Sequence, residues 1–305
     1  MSNNQSAILS ALKNVKRFAA VAETDFEATR LGGLTNLVFR VELTKEFGSE
    51  KLIVRIPGEG TSEFIDRHVE LHNARVAEKA GIGAPIIWAD PDTGLMISRY
   101  IEDAVTLSPA LFKSDAGAVT RVGKCLAQLH GFKVAFQFHF DPLAVINSYI
   151  GILAEKKVEL PQGFSLALAQ MPDIERRLKA AKVQPVPCHC DPLSENFLDD
   201  GNRVWLVDWE YSGMNDPMWD LGDLSVEAEF DPEQDKTLLQ AYFNREPDSA
   251  ELERMVIFKA LCDLLWALWG LIQHENGADV EDFHAYALAR FQRCQTLMQS
   301  PDFPT

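Results

Sequence analysis

The chain has 305 residues, 47% of them apolar, with 45 acidic against 29 basic side chains and a formal net charge of -16. That length suffices for a two-lobed unit with a sizeable core, and the acidic balance argues against nucleic acid and anionic membranes, whose recognition needs basic surface. Five scattered cysteines (Cys125, Cys188, Cys190, Cys262, Cys294) do not form a disulfide framework and point to a reducing cytoplasm.

Taken in order, residues 7 to 20 predict a short amphipathic helix, with Ile8, Leu9, Leu12, Val15 and Phe18 along one side. The pattern then turns strand-like from Thr29, with runs at Leu37 to Leu43 and Lys51 to Ile56. Gly32 and Gly33 lie between the first two strands, where glycine lets backbone amides approach a ligand. No Gly-Lys-Ser/Thr follows, so this is not a Walker loop. Arg55 sits between apolar neighbours on the third strand. A helix follows, with Thr61 or Ser62 as its cap, Gly81 as its stop and Glu70 in its middle. Two more strands, Ile86 to Ala89 and Leu95 to Tyr100, flank the turn Pro91-Asp92-Thr93-Gly94.

Beyond residue 104 the helical period dominates. Val119, Val122, Leu126 and Leu129 mark one helix ending at His130-Gly131, and residues 142 to 155 and 173 to 182 mark two more. Pro185 and Pro187 then introduce the stretch from Cys188 to Asp223. It carries Asp191, Asn196 five residues later, an Asp-Gly turn signal at Asp200-Gly201 between two short apolar runs, and Asp208. A type I′ turn centred on Asp200-Gly201 places Asn196 opposite Trp205 and Asp208 just beyond, at the open end of the hairpin. A carboxylate with an amide oxygen suits Mg²⁺, and the second carboxylate, Asp191, can take a hydroxyl proton. Cys188-His189-Cys190 invites a zinc reading, but no second pair stands at zinc-ligand spacing. Further on, Trp266 and Trp269 share a helix face, and such rings attract an ammonium. The longest apolar stretch, Ala260 to Ile272, is interrupted by Asp263 and is shorter than a bilayer requires.

His189-Cys190-Asp191 with Asn196, then Val207-Asp208-Trp209-Glu210-Tyr211, has the spacing of a kinase catalytic loop and its metal-binding Asp. The chain resembles the choline/ethanolamine kinases and, more distantly, the aminoglycoside phosphotransferases. Gly-Gly-Leu-Thr-Asn at 32 to 36, the strand Arg55, the Ile-Asp-Arg-x-x-Glu run ending at Glu70, and the paired tryptophans carry the first resemblance. It implies an α+β, two-lobed protein-kinase-like fold, with an antiparallel-sheet lobe at 1–101 and a mainly helical lobe at 102–305. It also implies transfer of the ATP γ-phosphoryl group to the hydroxyl of choline or a related small cationic alcohol. By the same resemblance Asp191, Asn196 and Asp208 are catalytic, the last two through Mg²⁺, and His189 holds the loop. Gly32, Gly33, Thr35, Asn36, Arg55, Glu70, Arg99 and Ile101 meet the nucleotide, the last two at the adenine. Glu227, Tyr211, Trp266, Trp269 and Tyr286 meet the substrate, and Asp220 bonds the catalytic loop. Cys190 replaces an Asn usual in the family and Leu193 a polar residue, and both bear on substrate choice. Ethanolamine, thiamine or an aminoglycoside as acceptor, or a non-catalytic protein that binds an ammonium ligand, are the rival readings.

Overall fold

The computed structural model describes residues 3–32, 36–58, 65–278, 282–301 and 303–304. Gly33, Thr35, Thr61 and Ser62 lie outside the described residues. Two compact units are present, one formed by Met1–Val105 with Leu198–Tyr211, the other by Thr106–Phe197 with Ser212–Thr305. Where the sequence suggests a single division after residue 101, the chain instead returns to the first unit for 198–211.

The first unit opens with α1 (Asn3–Lys13) and a single 3₁₀ turn at Lys16–Phe18, so the helix expected over 7 to 20 starts earlier and breaks before Asn14. Five strands follow in an antiparallel sheet: β1 (Phe26–Gly32), β2 (Asn36–Leu43), β3 (Lys51–Pro57), β4 (Ile86–Ala89) and β5 (Met96–Arg99), in the order β1-β2-β3-β5-β4. Alternation sends Phe39, Val41 and Leu43 of β2 and Leu52 and Val54 of β3 into one core with Ile8, Ala11 and Leu12 of α1. Arg55, next along β3, therefore points to the opposite face. Between β3 and β4 runs α2 (Arg67–Lys79), whose cap is Asp66, accepting from the N–H groups of His68 and Val69. Glu70 thus stands in the first turn of α2 rather than its middle. Gly81 ends the helix with φ 79°, as a left-handed stop requires.

After β6 (Val105–Thr106) the second unit is helical: α3 (Pro109–Ser114), α4 (Ala116–His130), α5 (Pro142–Glu155) and α6 (Phe164–Ala181), the last starting nine residues before the expected 173. Then come β7 (Val186–Cys188), β8 (Phe197–Asp199), β9 (Val204–Leu206) and β10 (Gly213–Asn215), with β7 and β10 paired. The segment holding β9 belongs to the first unit, where the Leu206 N–H donates to the Ile82 carbonyl (2.8 Å). Its turn is not centred on Asp200-Gly201. The Asp200 N–H donates to the Arg203 carbonyl (3.1 Å), so Gly201 and Asn202 form the loop. Asp200 Oδ1 accepts from the N–H groups of Asn202 and Arg203, both 2.8 Å, a side-chain turn that competes with the type I′ geometry. The pairing shifts, and Trp205 is not opposite Asn196.

The chain ends in α7 (Pro217–Glu227), α8 (Pro232–Phe243), α9 (Ser249–Glu275) and α10 (Phe283–Met298), with α9 packed against α5, α7 and α10. The close approach of α7 to α9 needs Gly222, where a Cβ would meet the Lys259 nitrogen at 3.0 Å. Contrary to the sequence expectation, α9 is long and apolar enough to cross a membrane, with 27 residues. Its most apolar window is 83% buried within the fold, however, the pattern of a core helix apolar all round.

Candidate active site

Within the first unit, Arg55 of β3 and Glu70 of α2 face each other across the sheet surface. The Arg55 fork is bidentate: Nη1 donates to Glu70 Oε1 and Nη2 to Glu70 Oε2 (3.0 Å), while Nη2 also reaches the Gly94 carbonyl (3.1 Å). Arg67, one turn before Glu70, donates from Nη1 to Glu70 Oε2 (2.8 Å) and to Glu210 Oε1 (2.5 Å). Asn36, expected to meet the nucleotide, is instead 3% exposed and donates its amide N–H to Glu210 Oε1 (2.7 Å). Sequence reasoning passed over Arg67 and the role of Glu210. The signal for Arg67 was its position three residues before Glu70 on one helix.

Asp208 lies at the edge of this network with φ 69°, a left-handed backbone uncommon outside glycine. Ligand oxygens of Glu70, Asp208 and Glu210 all lie within 4.8 Å of one another. Burial and the neighbouring Glu210 raise the Asp208 carboxyl to about 7, while Arg55 and Arg67 pull it back. Two atoms here are buried without a hydrogen-bond partner among the described residues: Arg55 Nε and Asp208 Oδ1. One is a donor waiting for an anionic oxygen, the other an acceptor waiting for a cation. Three carboxylates against two guanidiniums fit a divalent ion, and an oxygen donor set suits Mg²⁺. Gly32 adds an open backbone, with φ 155° and nothing described within 4 Å of where a Cβ would stand. The Arg99 N–H donates to the Pro85 carbonyl (2.8 Å), so the group it offers at an adenine is its carbonyl. Ile101 follows β5 and Tyr211 closes the returning segment; both are half-buried.

In the second unit, β7 delivers the loop that carries Asp191. Asp220 of α7, fully buried, accepts from the backbone N–H of His189 (2.7 Å) and of Cys190 (2.9 Å). Its Oδ2 also faces His130 Nε2 at 3.0 Å, and Trp219 Nε1 donates to the Cys190 carbonyl (3.1 Å). These bonds hold Cys190 at φ 66°. The Asn196 amide nitrogen donates to the Asp191 carbonyl (3.0 Å), which leaves its amide oxygen for a cation. The fold also gathers His130, Cys188 and Asp220 within 4.8 Å, although no spacing in the sequence announces it. Both oxygens of Asp220 are engaged by amides, and burial pushes the Cys188 and Cys190 thiols well up, so neither offers a thiolate.

The aromatic residues also meet in this unit. Trp266 and Trp269 stand edge to face, 5.9 Å between centroids at 87°, and Trp269 meets Phe283 (5.3 Å) and Tyr286 (6.2 Å) in the same way. Gly270 makes the Tyr286 contact possible, because a Cβ there would stand 2.8 Å from that ring. Glu227, expected to face a substrate cation, already pairs with Arg290, which also reaches Asp263 Oδ1 (3.2 Å). Arg290 further covers one face of Tyr286 at 4.9 Å, so that ring is partly spent as a cage wall.

Residues 28–246 match the family described as choline/ethanolamine kinase. The chain belongs to the choline/ethanolamine kinase family. A choline/ethanolamine kinase family protein from Mesorhizobium loti is 45% identical, with a TM-score of 0.88 over 98% of this chain and 96% of that one. The choline kinase LicA of Streptococcus pneumoniae is 27% identical, with a TM-score of 0.80 over 97% and 99%. A complex of LicA with AMP aligns at 26% identity, with a TM-score of 0.73 over 98% and 99%. Membership makes the fold α+β, two-lobed and kinase-like, and makes the protein a phosphotransferase that uses a nucleotide and acts on an amino alcohol.

Proposed function

We propose that the protein transfers the γ-phosphoryl group of ATP to the hydroxyl of choline or a related small amino alcohol. The observation that carries this reading is the pair of orphaned buried atoms in the first unit, Arg55 Nε and Asp208 Oδ1. An anionic phosphate oxygen satisfies the first and a divalent cation the second, and ATP with Mg²⁺ brings both. Asp208 would hold Mg²⁺ in this reading, as the kinase spacing also assigns to Asn196, and the ion would supply charge neutralisation on the phosphates.

The protein's own groups supply the rest. Arg55 is oriented by Glu70 and holds phosphate oxygens with its remaining donor. Asp191 accepts the hydroxyl proton as the alcohol oxygen bonds to the γ-phosphorus and the bond from that phosphorus to the ADP oxygen breaks. Because the transition state is loose, positioning and charge outweigh proton removal. The five buried free cysteines favour a reducing, cytoplasmic compartment.

The test is ADP release with Mg²⁺-ATP against choline, ethanolamine, thiamine and an aminoglycoside, with Asp191→Asn as the blank. Turnover of an amino alcohol is the expected result, and turnover confined to thiamine or the aminoglycoside overturns it. A second prediction concerns nucleotide binding. Arg55 serves Glu70 and the Gly94 carbonyl while keeping Nε free, which one ammonium cannot do. Arg55→Lys is therefore expected to raise the KM for ATP about tenfold, roughly the worth of one good polar contact, with the amino alcohol KM unchanged. An unaltered ATP KM would remove Arg55 from the nucleotide site.

A further inference from the structure

Glu227 pairs with Arg290, yet the second unit holds another carboxylate with one oxygen left without a hydrogen-bond partner among the described residues. Asp223 of α7 is 0% exposed. Its Oδ2 accepts from Trp266 Nε1 at 3.4 Å, and its Oδ1 is buried with no hydrogen-bond partner among the described residues. Asp191, Glu227 and Arg290 all lie within electrostatic reach of it. Asp263 is answered by Arg290 and Arg293, and Glu227 by Arg290, whereas burial with Glu227 and Asp191 nearby pushes the Asp223 carboxyl well up, so its carboxylate form calls for an added cation. Contacts link the rings to these carboxylates: Trp266 bonds Asp223 and meets Trp269, Trp269 meets Tyr286, and Arg290 lies over Tyr286 while pairing with Glu227.

A cation supplies the missing charge, but charge alone does not satisfy Oδ1. That oxygen needs a donor. A quaternary ammonium has no N–H and can meet only ring faces, whereas a primary or secondary ammonium brings both charge and a hydrogen to donate. Here the rings are less free than a cage requires: Trp266 is 4% exposed with its N–H given to Asp223, and Arg290 covers one face of Tyr286. We infer that Asp223 is a specificity-determining residue that selects an amino alcohol whose ammonium carries an N–H over a quaternary one. This inference rests on the amino alcohol kinase reading above. Its chemistry is simple: Oδ1 accepts the ammonium N–H, Trp266 fixes the carboxylate through Oδ2, and Asp191 takes the hydroxyl proton of the same small molecule.

The experiment uses purified protein with Mg²⁺-ATP and four acceptors, ethanolamine, N-methylethanolamine, N,N-dimethylethanolamine and choline, whose ammonium ions differ by one N–H each. Wild type is expected to hold kcat/KM within a narrow range for the first three and to lose about 100-fold or more at choline, because a buried acceptor is then left unpaired. Asp223→Asn presents an amide of the same shape without the charge. It is expected to lower kcat/KM at least about tenfold for the three N–H donors and to change choline little, so the step flattens while the KM for ATP is unchanged. Wild type turning over choline as well as ethanolamine overturns the inference. So does a variant indistinguishable from wild type, which would make Asp223 a neutral structural acid, or one that loses all four acceptors equally. Should D223N fold poorly, the wild-type step at the last N–H decides alone. Failure of wild type on all four acceptors overturns the kinase reading itself, and is told apart from the other outcomes by the absence of any ADP release.

Discussion

Asp208→Asn is expected to reduce turnover by on the order of 1000-fold while leaving the metal-free protein at least as stable as wild type. The two effects have one origin. The carboxylate sits among Glu70 and Glu210, with Arg55 and Arg67 as the only cations of the described cluster, and one of its oxygens has no partner. In the absence of a cation that arrangement is a stability cost, since a buried acceptor left unmade is worth about 1–3 kcal/mol. Asparagine keeps the shape and tolerates the left-handed φ of 69°, but removes the excess charge. It also removes the anionic ligand on which metal-assisted transfer rests. Thermal melts in chelator should therefore show a midpoint equal to or a few degrees above wild type, at roughly 2–4 °C per kcal/mol. Added Mg²⁺ should raise the wild-type midpoint and leave the variant unmoved. A variant that melts well below wild type in chelator, or that turns over normally, would take Asp208 out of the metal site.

Much of this was legible in the sequence because local signals and fold agree. Leu52, Val54 and Arg55 alternate along β3, so one face builds the core and the other presents the cation. The five-residue spacing of Asp191 and Asn196 is a local feature of one loop, where the Asn196 amide nitrogen donates to the Asp191 carbonyl. What stayed hidden depends on contacts made across long stretches of chain. Arg290 neutralises Glu227 from 63 residues away, and nothing near either residue shows it. Asp223 was hidden for the opposite reason: its significance is a missing partner, which no pattern records. The hairpin register failed because Asp200 spends its side chain on the Asn202 and Arg203 amides, moving the turn one residue on. In the sequence Asp263 reads as an interruption of the apolar run, which hides the full reach of α9. In the fold that carboxylate is fully buried and answered by Arg290 and Arg293, so the helix runs on through it.

Asp220→Ala is expected to be the most damaging single change outside the reacting groups, costing about 3–5 kcal/mol and abolishing turnover. Asp220 binds no substrate in this reading. Its two oxygens take the N–H groups of His189 and Cys190, and the His130 imidazole beside it is in turn 3.0 Å from the Tyr242 hydroxyl. Removing the carboxylate leaves two amides buried and unpaired next to a residue held at φ 66°, a conformation that persists only while its surroundings enforce it. The loop then relaxes, and Asp191, the next residue, loses its direction. Asparagine is a poor rescue, because its single oxygen serves one amide and its NH₂ confronts the other. Hydrogen exchange reads this directly: the His189 and Cys190 amides, buried and bonded in wild type, should exchange far faster in Asp220→Ala than amides of the α9 core. A variant that keeps those two amides protected and melts within about 1 kcal/mol of wild type would show that the loop is held by its own chain. In that case Cys190, rather than Asp220, would set the position of the catalytic carboxylate.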